Sequence, residues 1–237
     1  MCKLLKTLYG LKQSRHQWYQ QLFHILVNEL GFARCKVDHA MFYRCSTDSA
    51  LVIIVVHVDD FTIASSKQEL IDELKMCIKE FVEITDMGEL HWLLGIEVKR
   101  DQEAHTILLS QHSYIDSIVR HFGFEDLKPI TTPMDPNAKL STAQNPSTSA
   151  QYAAMQNVPY HEAAGVLMYV MLGTCPDISY AVTTVSKFSS NPGMAHWDVV
   201  KQIYCYLLGS KDLWLTYGGD KKVLVGYADA DGSMAED

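Results

Sequence analysis

The sequence is 237 residues long, enough for one large domain or two small ones, and its hydrophobic fraction of 48% excludes wholesale disorder. A formal net charge of -8 argues against an isolated nucleic-acid-coating module, because such modules are usually basic. The longest aliphatic run, residues 51–56, is too short to cross a bilayer, and the first residues have no apolar stretch of signal-peptide length. Six cysteines without a Cys-x-x-Cys pair favour neither a zinc ribbon nor a disulfide framework, so we expect an intracellular protein.

The first part of the chain predicts two helices and a short antiparallel sheet. Residues 13–30 carry apolar side chains at helical spacing, and Gly31 is suited to end that helix. Three runs of β-forming residues then predict strands joined by tight turns, at residues 40–44, 51–58 and 61–64. Residues 67–81 predict a second amphipathic helix.

The rest of the chain predicts another strand pair, a polar segment and a group of helices. Residues 91–99 and 106–110 read as single strands, and residues 112–122 read as a short helix. Residues 128–159 are rich in Pro, Ser, Thr and Asn without a period, which is typical of a linker. Three apolar helices are predicted next, at about residues 160–172, 176–188 and 195–208. Two strands of a new sheet are predicted at residues 213–217 and 223–228.

Two adjacent carboxylates, Asp59 and Asp60, stand at the end of the aliphatic strand, where the chain must turn. Aspartate is common in turns for local hydrogen-bonding reasons, so a purely structural role is one interpretation. Two like charges side by side repel each other, however, and Asn-Gly or Asp-Gly is the usual choice for a tight hairpin. A carboxylate pair on a rigid hairpin also supplies oxygen ligands that Mg²⁺ shares with substrate phosphates, which favours phosphoryl-transfer chemistry.

The residues around this pair resemble a known family. Val56-His57-Val58-Asp59-Asp60 resembles the aromatic-x-Asp-Asp hairpin of reverse transcriptases. Residues 6–13 with Trp18-Tyr19 are similar to a segment of the copia-type class of long-terminal-repeat retrotransposons. The similarity continues in the same order through residues 88–90, 93–98, 132–134, 165–169, 176–182, 196–197 and 206–209. The resemblance to a copia-type reverse transcriptase therefore covers essentially the whole chain.

The resemblance implies an α+β fold and a division of the chain into functional regions. The fold would be a partial right-hand polymerase palm with an antiparallel sheet, followed by a helical thumb and connection region and the first strands of an RNase H-like fold. Residues 1–100 would form a partial palm, and residues 101–127 a thumb-like segment. Residues 128–159 would be a linker, and residues 160–212 a helical connection region. Residues 213–237 would be the truncated start of an RNase H-like domain.

The resemblance also implies roles for individual residues. Asp59 and Asp60 would be two of three catalytic aspartates and would bind Mg²⁺ or Mn²⁺. The residues implied to lie near nucleotide or template are Gly10, Gln13, Lys6, Lys12 and His57, and those implied to hold the primer end are Trp92, Leu94 and Gly95. The two lysines also fit solvated side chains at a helix start, and Trp92 and Leu94 also fit packing in a strand. Trp18 and Trp197 are interpreted as core anchors on helices.

The two ends of the chain carry further expectations. Residues 226–233 resemble the first strand of RNase H, in which either Asp229 or Asp231 would be the first metal-binding carboxylate. The third polymerase aspartate belongs, in the family, to a segment before Lys6. We therefore expect this chain to be inactive by itself, because a two-metal site without that carboxylate is incomplete.

Several positions depart from the family pattern. His57 stands where the family usually has Tyr, and His161, Cys175 and Cys205 stand where it usually has Arg. Each lost Arg removes a fixed positive charge that would meet phosphate or an acidic neighbour. Because each of these changes is a single-base transition, our hypothesis is that the chain comes from a decaying copy of the element.

The combined expectation is a fragment of a retrotransposon RNA-directed DNA polymerase. Its partners would be an RNA/DNA primer-template, deoxynucleoside triphosphates and the rest of the polyprotein, with no membrane, in a cytoplasmic virus-like particle or the nucleus. The alternative is a non-catalytic relic or domesticated fragment that binds nucleic acid or a partner through the basic residues 3–15. A further alternative is an unselected pseudogene product with exposed core.

Overall fold

The computed structural model describes residues 7–8, 10–46, 49–219 and 226, and the chain divides into two compact units, Met1–Leu90 and His91–Asp237. Lys6, Asp229 and Asp231, to which the resemblance assigns roles, lie outside the described residues. So does the expected strand at 223–228, apart from Gly226. None of the helices that the structure describes combines the length and apolar character that a bilayer crossing requires.

Over its described residues, the first unit is one antiparallel sheet with two helices. Helix α1 (Ser14–Phe23) continues through a π-helical turn (His24–Glu29), and helix α2 (Gln68–Lys79) follows the sheet. The strands lie in the order β1-β2-β3-β4 and are Ala33–Arg34, Met41–Cys45, Leu51–His57 and Asp60–Ser65. Both expected helices and all three expected strands are confirmed with small shifts of their ends, and the short β1 is additional.

Strand β3 shows that this sheet is buried on one face. Val52, Ile54 and Val56 are buried, whereas Leu51 and Val55 on the other face remain 42% and 39% exposed. The unbroken aliphatic run predicts a buried strand, and in the described structure this is confirmed for one face of β3 and wrong for the other. The helices pack on the inner face, where the core consists of Leu22, Leu26, Phe32, Phe42, Val52, Ile54, Val56, Leu74 and Ile78.

The second unit contains a second antiparallel sheet. Its strands lie in the order β5-β6-β7-β8 and are Trp92–Leu93, Ile96–Asp101, Thr106–Ser110 and Leu215–Gly218. The single strand expected at 91–99 is therefore two strands, because Leu94 and Gly95 have φ of 52° and 82° and reverse the chain. Strand β8 pairs with β7, whereas the sequence predicts that it opens a new sheet. The pairing partner of a strand depends on residues far away in the chain, and local pattern does not specify it.

The described part of the second unit contains five α-helices. They are α3 (His112–His121), α4 (Ser149–Met155), α5 (Tyr160–Gly173), α6 (Ser179–Ser186) and α7 (Met194–Ser210). The last three confirm the expected apolar helices, and a 3₁₀ turn (Pro176–Ile178) leads into α6. The core they share with α3 includes Ile115, Val119, Leu167, Val170, Val182, Val185, Val200, Ile203 and Leu207.

The polar segment at residues 128–159 follows the surface of this helical core. Met134 is buried against the core, and the backbone N–H of Ile130 donates to the carbonyl of Cys205 in α7 at 3.3 Å. Within the segment, the hydroxyl of Thr148 caps helix α4 by accepting the backbone N–H of Gln151 at 3.3 Å. A segment with linker composition is thus anchored to the unit in which it lies.

Candidate catalytic hairpin

Asp59 and Asp60 lie at the tip of the hairpin that joins β3 to β4. The two strands pair through a ladder of six residue pairs that ends with His57 opposite Asp60, so that only Val58 and Asp59 form the loop. Both aspartates are exposed. The sequence therefore folds locally into an arrangement that carries two adjacent carboxylates on a regular pair of strands, outside the core.

Asp60 lies on the exposed face of this sheet. Because side chains alternate along a strand, Asp60 and its partner His57 share the face of Val55, opposite the buried residues. Tyr43 and Leu51 lie on the same face and are 41% and 42% exposed. The carboxylate pair thus borders an exposed, largely apolar sheet surface.

The two-residue loop has an unusual backbone conformation. Val58 has φ of 60°, in the left-handed region, whereas Asp59 does not have a positive φ. A positive φ at the first loop residue alone is the pattern of a type II′ turn, which normally has Gly at that position. A β-branched side chain in this region is a genuine outlier and is retained only where the surroundings enforce it.

Trp18 on α1 supplies one such constraint. Its indole Nε1–H donates a 2.7 Å hydrogen bond to the backbone carbonyl oxygen of Val58. The sequence interpretation of Trp18 as a core anchor is therefore incomplete, because the side chain is half-buried and its polar atom contacts the loop. Trp197, in contrast, is 8% exposed and confirms the same interpretation. The only sequence signal for this contact is the position of Trp18 on the helix that precedes the sheet.

The electrostatics of the two carboxylates favour a cation. Within the described residues, neither Asp59 nor Asp60 forms an ion pair or a side-chain hydrogen bond, so their oxygens face solvent. Carboxylate oxygens are the ligands that Mg²⁺ prefers. Across the part of the chain that the structure describes, however, no three His, Cys, Asp or Glu side chains converge on one point. The hairpin thus supplies part of a ligand set.

The residues expected near nucleotide and template lie where α1 begins. Gly10 has φ of 90°, and Gln13 is the residue immediately before Ser14–Phe23. Gly10, Lys12 and Gln13 are all exposed. Gln13 precedes Trp18 by five residues, which is roughly 7.5 Å along a helix. These exposed residues therefore lie in the segment that leads directly into the helix whose Trp18 side chain contacts the β3–β4 loop.

The residues expected to hold the primer lie on the β5–β6 hairpin of the second unit. Leu94 and Gly95 form its two-residue loop, and both have positive φ, which is the pattern of a type I′ turn. Trp92 and Leu94 are 54% and 52% exposed. The alternative interpretation, that Trp92 and Leu94 serve only to pack in a core, does not agree with this exposure.

Tyr169 on α5 contacts the loop of this second hairpin. Its hydroxyl donates a hydrogen bond to the carbonyl of Leu94, and its ring packs edge-on against Tyr114 with centroids 5.0 Å apart. The sequence places Tyr169 in a segment that resembles the family, but it predicts no role for this residue. The structure shows that Tyr169 contacts the β5–β6 loop through Leu94.

Cys175 and Cys205, two of the positions expected to depart from the family pattern, carry free, partly buried thiols. Burial raises the pKa of the Cys175 and Cys205 thiols, so neither is a reactive thiolate. Close to Cys175, the hydroxyl of Tyr206 donates to the carboxylate of Asp177. That hydrogen bond is the main reason why the pKa of Tyr206 rises to about 12.

Residues 1–136 match a family model described as reverse transcriptase (RNA-dependent DNA polymerase). The match includes the β3–β4 hairpin and both of its aspartates, together with the β5–β6 hairpin. No solved structure matches the chain.

Several curated relatives are similar to the chain over nearly its whole length. The retrovirus-related Pol polyprotein from transposon TNT 1-94 of Nicotiana tabacum is 36% identical over 231 residues, which are 98% of this chain and 17% of the relative. The Pol polyprotein from transposon RE1 of Arabidopsis thaliana is 34% identical over 98% of this chain and 15% of its own length. The putative transposon Ty5-1 protein of Saccharomyces cerevisiae is 26% identical over 96% of this chain and 71% of its own length. The chain thus spans about a sixth of the two plant polyproteins.

Proposed function

This chain belongs to the reverse transcriptase (RNA-dependent DNA polymerase) family, and from that premise we propose that its first unit is the part of a polymerase palm that carries two catalytic aspartates. The chain is a copia-type segment of a larger retrotransposon polyprotein. The proposed reaction is RNA-directed DNA synthesis, in which a primer 3′-hydroxyl attacks a deoxynucleoside triphosphate. The observation that supports it is the β3–β4 hairpin, which exposes Asp59 and Asp60 together.

The proposed cofactor is Mg²⁺, or Mn²⁺ in its place. Asp59 and Asp60 fit it by the chemistry of their oxygens, and they would be its protein ligands at this hairpin. When bound, the ion neutralises charge on the reacting phosphate. Two carboxylates leave most of an octahedral shell to other ligands, and we propose that substrate phosphates and the third aspartate implied by the family fill it.

We assign the start of α1 to the incoming nucleotide and the template. Gly10 allows a close approach of backbone to a sugar or phosphate, and the amide of Gln13 is able to both donate and accept hydrogen bonds. Lys12 and Lys6 would contact phosphates, and His57 lies beside Asp60 in the ladder. The exposure of Gly10, Lys12, Gln13 and His57 is consistent with these roles.

The second unit is proposed to hold the primer through the β5–β6 loop. Trp92, Leu94 and Gly95 would lie against the primer end, which is consistent with the exposed side chains of the first two.

Along the chain, we propose palm at residues 1–100, a thumb-like segment at 101–127, a linker at 128–159, a connection region at 160–212 and the start of an RNase H-like domain from 213. Either Asp229 or Asp231 would be the metal-binding carboxylate of that last domain.

The proposed partners follow from the reaction. They are an RNA/DNA primer-template, deoxynucleoside triphosphates and the rest of the retrotransposon polyprotein. The proposed place of action of the parent element is a cytoplasmic virus-like particle or the nucleus.

The metal-binding part of this proposal is tested by NMR on the full chain. Mn²⁺ broadens signals of nuclei close to it, so we expect titration to broaden the amide signals of Asp59 and Asp60 first. The double variant Asp59→Asn, Asp60→Asn should lose this broadening. Asp101→Asn is the matched control, since Asp101 is also an exposed aspartate at the end of a hairpin strand. Broadening that survives in the double variant would contradict the proposal.

A further inference from the structure

We propose that Trp18 is a positioning residue for Asp59, because its indole N–H fixes the peptide group between Val58 and Asp59 and thereby the direction of the carboxylate. This inference rests on the proposed function of the hairpin. It goes beyond that function by naming a side chain on a separate element that controls the geometry of the loop.

The contact has the geometry of a strong, specific hydrogen bond. The distance from Nε1 to the Val58 carbonyl oxygen is 2.7 Å, at the short end of the usual range for N–H···O bonds. Helix α1 holds the donor rigidly, because Leu22, one turn further along on the same face, is 1% exposed in the core. The indole is thus presented to the loop by a helix that is itself fixed to the sheet.

The loop needs such a constraint because its sequence does not favour its conformation. Val58 has φ of 60°, and a two-residue Val-Asp loop contains no Gly to accept that angle without strain. Turns with negative φ at this position suit Val-Asp better, but they splay the two strands of a hairpin. The local preference of the sequence therefore opposes the conformation that the ladder requires.

The carbonyl that accepts this hydrogen bond belongs to the peptide group that joins Val58 to Asp59. Because the same peptide group contains the backbone nitrogen of Asp59, its rotation turns the Asp59 backbone and redirects the Asp59 side chain. A hydrogen bond from a fixed donor opposes that rotation. A packing role for Trp18 would require only the ring, whereas the observed contact uses the N–H.

The experiment compares Trp18→Phe with Tyr19→Phe in the full chain. The first variant removes the donor to the loop and keeps an aromatic ring. The second removes a donor from the same helix, since the hydroxyl of Tyr19 donates to the carbonyl of His39 at 3.2 Å, outside the hairpin. We expect Trp18→Phe to shift the amide signals of Val58, Asp59 and Asp60 and to weaken Mn²⁺ broadening at Asp59 several-fold. We expect Tyr19→Phe to leave both unchanged.

A measurement on the unmodified chain covers the case in which Trp18→Phe does not fold. The scalar coupling across the hydrogen bond, from Trp18 ¹⁵Nε1 to the Val58 carbonyl carbon, should be detectable, and the indole proton should exchange slowly. An absent coupling with a fast-exchanging indole proton would overturn the proposal, as would unchanged Asp59 signals in a folded Trp18→Phe variant.

A glycine variant separates positioning from packing. Glycine accepts positive φ without strain, so in a Val58→Gly background Trp18→Phe should shift the Asp59 amide signal much less than it does in the unmodified chain. A core-packing role for Trp18 predicts no such reduction, and its absence would overturn the proposal. If the unmodified chain binds no Mn²⁺, the proposed metal site fails, while the coupling, the Asp59 signals and the Val58→Gly background still decide the role of Trp18.

Discussion

The hydroxyl of Tyr169 donates a hydrogen bond to the backbone carbonyl of Leu94, 75 residues earlier, and connects helix α5 to the β5–β6 loop. Trp18 makes the equivalent connection from α1 to Val58 in the first unit. In both hairpins the bonded carbonyl belongs to a bulky residue with positive φ, 52° at Leu94 and 60° at Val58. Each unit therefore uses an aromatic donor on a helix to hold a hairpin loop that its own sequence does not favour.

The contact between Tyr169 and Leu94 predicts a specific effect of Tyr169→Phe. The variant keeps the ring that packs on Tyr114 but removes the donor to the Leu94 carbonyl. We expect the free energy of unfolding to fall by about 1 kcal/mol, the usual net value of one hydrogen bond. Amide hydrogen exchange should accelerate at Leu94 and Gly95.

Chemical denaturation and exchange measured by NMR check this expectation. Tyr180→Phe is the matched control, because Tyr180 is a 76% exposed tyrosine in the same unit. Equal stability and equal exchange rates at the loop in both variants would show that the hydrogen bond contributes nothing.

The φ of Val58 predicts that Val58→Gly stabilises the chain. Strain at a positive φ is worth roughly 1–3 kcal/mol, and the extra entropy of an unfolded Gly is worth roughly 0.5–1 kcal/mol in the opposite direction. Since Val58 is 47% exposed, it has limited packing to lose. We therefore expect the free energy of unfolding to rise by about 1 kcal/mol, as measured by urea denaturation.

Val37→Gly is the control for that substitution. Val37 is 96% exposed and does not have a positive φ, so only the entropic effect should remain, and stability should fall by less than about 1 kcal/mol. Equal losses in both variants would mean that Val58 is unstrained.

The elements that the sequence specifies locally were predictable. The hairpin that carries Asp59 and Asp60 follows from two β-forming runs separated by two polar residues, and the structure has it at β3 and β4. The end of the first helix follows from Gly31, whose φ of 70° is the conformation that favours glycine there. Both depend on neighbours in sequence, which is why pattern alone finds them.

The features that depend on distant residues were not predictable. The donor to Val58 lies 40 residues away on another element, and a Trp on an amphipathic helix is indistinguishable in sequence from a core anchor. The position of β8 beside β7 joins strands about 100 residues apart, so no local period indicates it. The exposure of one face of β3 was also not predicted, because the residues of a uniformly aliphatic strand do not indicate which face packs against the core.

The proposed site predicts the behaviour of the chain in primer extension. Within the described residues the hairpin supplies two carboxylates and no third ligand converges with them. We therefore expect the chain alone, with Mg²⁺ or Mn²⁺ and a homopolymer template, to incorporate no more nucleotide than its Asp59→Ala variant. Incorporation that Asp59→Ala abolishes would contradict this expectation and would show that the chain is a complete catalyst. Salt-sensitive binding to the primer-template without incorporation would favour the binding-fragment alternative.

His196 predicts a pH dependence of stability in the helical core. It is fully buried, it stacks on Phe188 with ring centroids 4.1 Å apart, and its Nδ1 accepts the backbone N–H of Gly193 at 2.9 Å where α7 begins. Burial lowers the pKa of His196, and the Ser141 backbone offsets this only in part. Protonation places a hydrogen on Nδ1, so the imidazolium form loses the capping hydrogen bond.

The sign of the effect follows from the lowered pKa. At a pH below about 6.5, the ordinary value for histidine, the unfolded chain binds a proton that the folded chain does not. The contribution of His196 to stability is therefore complete above that pH and is lost as the pH falls towards the folded-state pKa.

In His196→Asn the amide oxygen is able to replace Nδ1 as acceptor without titrating, so the free energy of unfolding should fall less between pH 7 and pH 5 than in the unmodified chain. His161→Asn, at an exposed histidine of the same unit, should keep the original dependence, and parallel curves for all three proteins in urea denaturation would contradict the assignment to His196.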